Sequence, residues 1–322
     1  MTEPLVGDPW DADAEAIAEH MAGPSDEVRP ELVAIALDEF LTRQFPPKEM
    51  LIEPWLPLKG LGMVFGPRGV GKTNFAVGTA YAAASAGIFL KWTAPAARKV
   101  LLLDGEMPAG TLQERLRIIV AKSELKPPAG NYLRVLSADI CDHGLPDIST
   151  QAGQDSLEPQ IGDAQLIIID NISTICRSGR ENESESWGIV QAWALKQRRA
   201  GRSVLFIHHA GKGGEQRGTS KREDVMDSVI KLSLPDDYSP VDGARFVVTF
   251  TKSRGFVGPE AEPFEAAYRD GEWSTKDIED SLAEQAYQMA SEGMTQRKIA
   301  AELGCSPAKV NRLINRHKGI TS

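Results

Sequence analysis

Between residues 61 and 86 the chain reads apolar strand, glycine-rich loop, helix, and that order constrains the fold more than any other feature. The loop Gly66-Pro67-Arg68-Gly69-Val70-Gly71-Lys72-Thr73 fits G-x-x-x-x-G-K-[ST], preceded by GMVFG and followed by NFAVGTAYAAA. Glycines at these positions let successive backbone N–H groups converge on phosphate oxygens, aided by the N-terminus of the helix. In such a loop Lys72 reaches the β- and γ-phosphates of ATP and Thr73 ligates Mg²⁺. The expected nucleotide-contacting set is Gly66, Pro67, Arg68, Gly69, Val70, Gly71, Lys72, Thr73 and Asn74. A chance lysine in a glycine-rich turn is the plain alternative, and the flanking strand and helix argue against it.

Further strand-like runs lie at Lys99–Asp104, Leu133–Ser137, Leu166–Asp170, Ser203–His208, Ser228–Leu232 and Ala244–Thr251, after the first at Leu61–Phe65. Helical patterns at Gly71–Ala86, Ala109–Lys122 and Glu183–Arg199 fall between the earlier ones. This rhythm predicts an α/β fold with a mostly parallel, twisted sheet covered by helices. The last two strands, joined by DDYSPVDGA, read as an antiparallel hairpin extension. Residues 1–45 read as an acidic, partly helical lead-in, residues 46–273 as the main domain, and residues 277–322 as a small all-helical domain. A short link near Ser274–Lys276 is expected between the last two.

Two strands end in acids. Gln165–Asp170 is an apolar run closing on Asp170, where a carboxylate orients Mg²⁺ and its water; capping of the next turn is the alternative. VLLLDGEMP ends in Asp104 and Glu106. A carboxylate there can accept the proton of an attacking water held in line with the γ-phosphate. Pattern alone leaves a solvated loop acid equally open.

The segment DGEMPAGTLQERL resembles the part of DnaB-type replicative helicases in which a glutamate before Met-Pro is the catalytic base, and the resemblance implies that role for Glu106. The wider layout, from about Trp55 to about Gly258, is similar to the RecA-like ATPases of the plasmid RepA-type hexameric helicase family. That likeness implies a RecA-like core assembled as a homo-oligomeric ring, a hexamer, with ATP at the subunit interfaces and single-stranded DNA through the ring. The strand VLFIHHAGKGG ends in His208 and His209, where this family is similar in placing a histidine that senses the γ-phosphate. A structural pair or a metal site is the alternative, with no third ligand evident.

Ring ATPases need a cation from the neighbouring subunit to neutralise charge developing on the γ-phosphoryl group. Arg217, in EQRGTSKRED, resembles the RepA-type finger, whereas Lys252 and Arg254, in TFTKSRG, resemble the DnaB-type Lys-x-Arg finger. The sequence does not choose between them, and solvated loops remain open for both. The glycine-flanked loop around 211–218 lies where related rings contact DNA, which makes Lys212 and Lys221 candidates for DNA contact.

The last residues carry a second pattern. Thr295 suits an N-cap for QRKIAAEL, Gly304 the left-handed turn that ends it, and Ser306 with Pro307 the start of another helix. Ile299, Ala300, Leu303, Val310, Leu313 and Ile314 form a small core. The layout is that of a helix-turn-helix with 307–317 as recognition helix, and it resembles those of resolvases and sigma-like factors. Arg297, Lys298, Ser306, Lys309, Asn311, Arg312 and Arg316 are the expected contacts to duplex DNA. Net charge is −9, but residues 293–319 hold six bases against one acid, and residues 1–40 eleven acids against one base. The asymmetry favours a DNA module over a helical protein-binding one. Three widely spaced cysteines, no signal sequence and no membrane-length apolar run predict a cytoplasmic protein. The expected function is a DNA-dependent ATPase, as a ring helicase in replication of a plasmid or mobile element, or alternatively an ATP-switched regulator or loader that does not unwind.

Overall fold

The structure, a computed structural model, describes residues 33–177, 183–210 and 220–320, with only the backbone of residues 183–185, 220–221 and 320. The chain divides into two units, Met1–Pro47 and Lys48–Ser322. In the first, helix α1 (Leu37–Thr42) buries none of its residues, although its spacing is amphipathic.

The second unit opens with the hairpin β1 (Met50–Ile52) and β2 (Leu56–Pro57), then β3 (Leu61–Gly66) leads through the glycine loop into α2 (Lys72–Ser85). A small hairpin, β4 (Ile88–Phe89) and β5 (Trp92–Thr93), precedes β6 (Val100–Asp104), α3 (Ala109–Lys122), β7 (Leu133–Ser137) and α4 (Gln151–Ile161). Next come β8 (Leu166–Asp170), α5 (Ile172–Ile175), α6 (Glu183–Arg199), β9 (Ser203–His209), α7 (Ser220–Glu223) and β10 (Ser228–Ser233). The sheet is completed by β11 (Arg245–Ser253), β12 (Phe264–Arg269) and β13 (Glu272–Asp277), and the chain closes with α8 (Ile278–Ser291), α9 (Gln296–Glu302) and α10 (Pro307–Ile320).

Nine strands form the main sheet in the order β13-β12-β11-β10-β3-β9-β8-β6-β7. The six from β10 to β7 run parallel, and β11 to β13 add antiparallel. The seven strand-like runs of the sequence all lie in this sheet, and the expected α/β class holds. Ser274–Lys276, read as a link between domains, instead lies inside edge strand β13. The strand is polar outward, so its alternation is faint; Trp273 secures it by packing on Tyr268, Phe89 and Phe246. Helix α4 also had no clear signal, since Pro159 sits within it; Thr150 caps it by accepting the Gly153 N–H at 3.1 Å.

The central parallel strands β3, β6, β8 and β9 are apolar on both faces because helices cover both. Val64, Leu102, Ile168 and Ile207 point to the face covered by α2 and α3; there Phe75 of the loop helix packs into an aromatic bed of Trp55, Trp92, Phe246 and Phe264. Met63, Leu103, Ile169 and Phe206 point to the other face, under Leu157 of α4 and Trp187 and Trp193 of α6. Ordered burial of this kind is the main favourable contribution to holding the loop-bearing helix in place.

The terminal helices have a core of their own: Ala283, Ala286, Ile299, Ala300, Val310 and Leu313, with Leu303 and Ile314 partly buried. Thr295 accepts the Lys298 N–H at 3.4 Å, Gly304 turns at φ 58°, and Ser306 accepts the Lys309 N–H at 3.2 Å. No helix among the described residues is long and apolar enough to cross a membrane.

Candidate functional site

Register brings the site together. At the carboxyl end of the parallel strands Gly66 pairs with His209 and Asp104 with Asp170, so the ends of β3, β9, β8 and β6 form one ledge. The Ala210 N–H donates to the Gly66 carbonyl at 2.9 Å, and the Gly105 N–H to the Asp170 carbonyl at 2.7 Å, which ties the loops beyond the strands to one another.

The glycine loop wraps as its residues require. Gly69 and Gly71 take φ of 78° and 106°, a region that side chains resist. A Cβ on Gly66 would stand 2.5 Å from the Leu232 carbonyl oxygen, so only glycine fits there. No side chain caps the first turn of α2, whose N–H groups and dipole face the loop. Lys72 is 5% exposed, and its ammonium donates to the carbonyls of Gly66 (3.1 Å) and Pro67 (2.7 Å). Burial lowers its pKa, opposed by the negative charges of Asp170 and Glu106. Asn74 accepts from Arg115 of α3 at 2.7 Å, a partner that sequence spacing did not suggest.

Asp170 is 3% exposed; burial pushes its pKa up to about 6 against a hydrogen bond from Thr73, and its Oδ2 has no hydrogen-bond partner among the described residues. A buried carboxylate oxygen beside a threonine hydroxyl, at the foot of a phosphate loop, suits a hydrated Mg²⁺ with oxygen ligands. Among the described residues no group of three or more His, Cys, Asp or Glu could hold a metal. Thr73 and Asp170 would therefore hold the ion in company with phosphate oxygens and water.

Side-chain alternation separates the two histidines. His209 points with Ile207 to the loop-helix face, where its Nε2 lies 3.1 and 3.3 Å from the Glu106 carboxylate and 2.9 Å from Asn171 Nδ2. His208 points with Phe206 to the opposite face, 3.1 Å from Arg222, which itself lies over the Trp187 ring. Burial and the Arg222 charge lower the His208 pKa to about 4, so it is neutral near pH 7. Glu106 behaves otherwise: burial raises its pKa, but hydrogen bonds from Asn171 and His209 outweigh that and hold it below the usual carboxylate range. Asn171 follows the strand acid directly and also caps α5 through the Ser173 N–H at 2.9 Å; its place after QLIIID was the one signal that could have marked it.

The remaining candidates lie elsewhere. Lys252 donates to the carbonyls of Glu223 and Asp224, and Arg254 to that of Asp224 at 3.0 Å. Ser253 stands level with Ser228 and Gly62, so this pair sits about 13 Å along the strands from the start of its own phosphate loop. Arg217 and Lys212 lie outside the described residues, as does the side chain of Lys221. In the terminal helices Arg297, Lys298, Ser306, Asn311 and Arg312 are exposed and Lys309 is half-buried. Arg316 is engaged by Glu279 (2.9 Å) and Asp280 of α8, so any contact it makes to DNA must first release that pair.

The sequence pattern of a family described as AAA domain matches residues 26–215. No curated protein sequence matches. Among solved structures, a KaiC-like protein from the hyperthermophilic archaeon Pyrococcus horikoshii OT3 superposes with a TM-score of 0.50 at 16% identity, over 70% of this chain and 93% of that one. The RadB recombinase superposes with a TM-score of 0.45 at 16% identity, over 69% of this chain and 91% of that one. The fold is RecA-like.

Proposed function

The chain belongs to this AAA domain family, and on that premise we propose that it is a DNA-dependent ATPase working as a homo-oligomeric ring, in its most specific form a RepA-like helicase that serves replication of a plasmid or mobile element. The reading is carried by one observation: Glu106 is held by His209 and Asn171 on the same ledge as the phosphate loop and Asp170.

In the proposed reaction the loop amides and Lys72 hold the β- and γ-phosphates of ATP, and Thr73 and Asp170 hold Mg²⁺. The ion, when bound, supplies positive charge against the phosphate oxygens. Glu106, kept ionised, accepts a proton from the water that attacks the γ-phosphorus, and ADP departs as the P–O bond breaks. His209 would report the state of the γ-phosphate to Glu106 through their hydrogen bond. His208, on the far face, is better suited to support that strand end than to touch phosphate.

The finger must come from a neighbour on this reading, because Lys252 and Arg254 are remote from their own loop. Mixing Arg254→Ala with Lys72→Ala protein should restore part of the turnover that each lacks alone, since mixed rings pair an intact loop with an intact finger. Complementation by Arg217→Ala in its place would assign the finger to Arg217. The last two helices, with six bases against one acid over residues 293–319, support duplex binding as part of a helix-turn-helix. Arg312→Ala should weaken duplex affinity by about tenfold (roughly 1–3 kcal/mol for a base-edge contact), read by fluorescence anisotropy at fixed salt; unchanged affinity would remove that role.

The deciding experiment is ATPase activity without DNA, with single-stranded DNA and with duplex, alongside mass measurement with and without nucleotide. Rings that form with ATP and turnover raised by single strands are expected. A monomer indifferent to DNA would overturn the reading. Normal turnover and duplex binding with no strand separation would favour the second reading, an ATP-switched regulator or loader.

A further inference from the structure

We propose that Asp104 is a positioning residue whose carboxylate fixes the turn that carries Glu106, and so sets where the Glu106 carboxylate meets the attacking water. The inference rests on the reading of Glu106 as base and adds a residue which acts through it.

Asp104 ends β6 and is 1% exposed, on the loop-helix face between Asp170 and Ser137. No ion pair or side-chain hydrogen bond from a cation to its carboxylate is seen among the described residues, and an acid buried in this way is unfavourable unless hydrogen bonds compensate it. The backbone just ahead compensates one oxygen: Oδ2 accepts the Met107 N–H at 3.1 Å, and the Glu106 amide and the Arg115 charge also favour the ionised form, whereas Oδ1 is buried with no hydrogen-bond partner among the described residues and burial still outweighs them. Residues 104–107 are thus closed by their own aspartate, in the manner of an Asx turn.

The same turn is clamped from its other side. The Gly105 N–H donates to the Asp170 carbonyl at 2.7 Å, and a Cβ on Gly105 would lie 2.0 Å from Thr174 Oγ1. Thr174 in turn donates to the Asn171 carbonyl at 2.8 Å, and the Asn171 side chain reaches Glu106 and His209. Glu106 therefore has two handles. Asn171 and His209 orient its carboxylate, and Asp104 locates its backbone. A side chain as exposed as Glu106, 48% open, has little else to locate it.

The test is steady-state ATPase of the full chain. Asp104→Ala should lower kcat by about ten- to a hundredfold, the scale of a displacement near 1 Å, with KM for ATP unchanged. Asp104→Asn, which keeps an acceptor oxygen for the Met107 N–H, should recover most of that loss. Gly105→Ala, which pushes the same turn off Thr174, should reproduce it. In a Glu106→Gln background, Asp104→Ala should add nothing, because both changes disable one unit. The proposal is overturned if Asp104→Asn is as impaired as Asp104→Ala, if KM rises in step with the fall in kcat, or if the Asp104 and Glu106 losses multiply. If Asp104→Ala does not fold, judged by its thermal melt, Asp104→Asn and Gly105→Ala decide: an impaired Asn variant or an unimpaired Ala variant refutes it. Near-normal turnover in Glu106→Gln alone would instead bring down the base assignment itself.

Discussion

Lys72→Ala should reduce ATP turnover by at least about a hundred- to a thousandfold, the loss expected when one charge-stabilising group leaves a transition state. Two effects act together. The variant removes the cation that meets the β- and γ-phosphates in the proposed reaction. It also leaves the carbonyls of Gly66 and Pro67 without the donor that gathers the loop, at 3.1 and 2.7 Å. Loss of loop order predicts weaker nucleotide binding as well as slower chemistry, so a fluorescent ATP analogue should bind at least about tenfold less tightly, a difference of about 1.4 kcal/mol. Burial already disfavours the charged ammonium, opposed by the negative charges of Asp170 and Glu106. Turnover and binding close to those of the unmodified chain would show that the loop does not hold a triphosphate.

Glu106→Gln is expected to separate binding from chemistry. Glutamine has nearly the shape of glutamate and can still meet His209 and Asn171, but it cannot take a proton from water. The expected loss in kcat is about a hundred- to ten-thousandfold, with ATP retained by the protein. Gel filtration with labelled ATP, followed by analysis of the bound nucleotide, checks both halves. Substantial ADP in the bound fraction at short times would refute the base assignment. The pH profile offers a related reading. The hydrogen bonds from Asn171 and His209 hold the folded pKa of Glu106 below its ordinary value, so the base form persists as pH falls and is lost only below the usual glutamate range. An activity limb set by Glu106 must therefore lie on the acid side of that range.

Much of the architecture was open to reading along the chain because it is written in local chemistry. Apolar strands of five or six residues, each followed by glycine or an acid, can hardly be anything but buried parallel strands ending at a site. β13 was unreadable for the opposite reason: an edge strand open to water needs few apolar residues, and Trp273 is the one large apolar side chain that adds packing to its ladder with β12. The same logic applies to α4, which is anchored by Leu157 and Ile161 but interrupted by Pro159. In the terminal helices the caps at Thr295 and Ser306 and the turn at Gly304 were legible, since each is a contact within a few residues. The ion pair that engages Arg316 was not, because Glu279 and Asp280 lie on another helix 37 and 36 residues away.

By itself the sequence determined the glycine loop, the acids that close β6 and β8, and the rhythm that makes a parallel sheet. All of these follow from backbone torsions and side-chain periodicity over a few neighbours. Only the tertiary structure decided which of two adjacent histidines meets Glu106 and that Asn171 shares the contact. Those outcomes depend on which sheet face α2 covers and on the register of β6, β8 and β9, and neighbours in sequence cannot specify relations between strands a hundred residues apart.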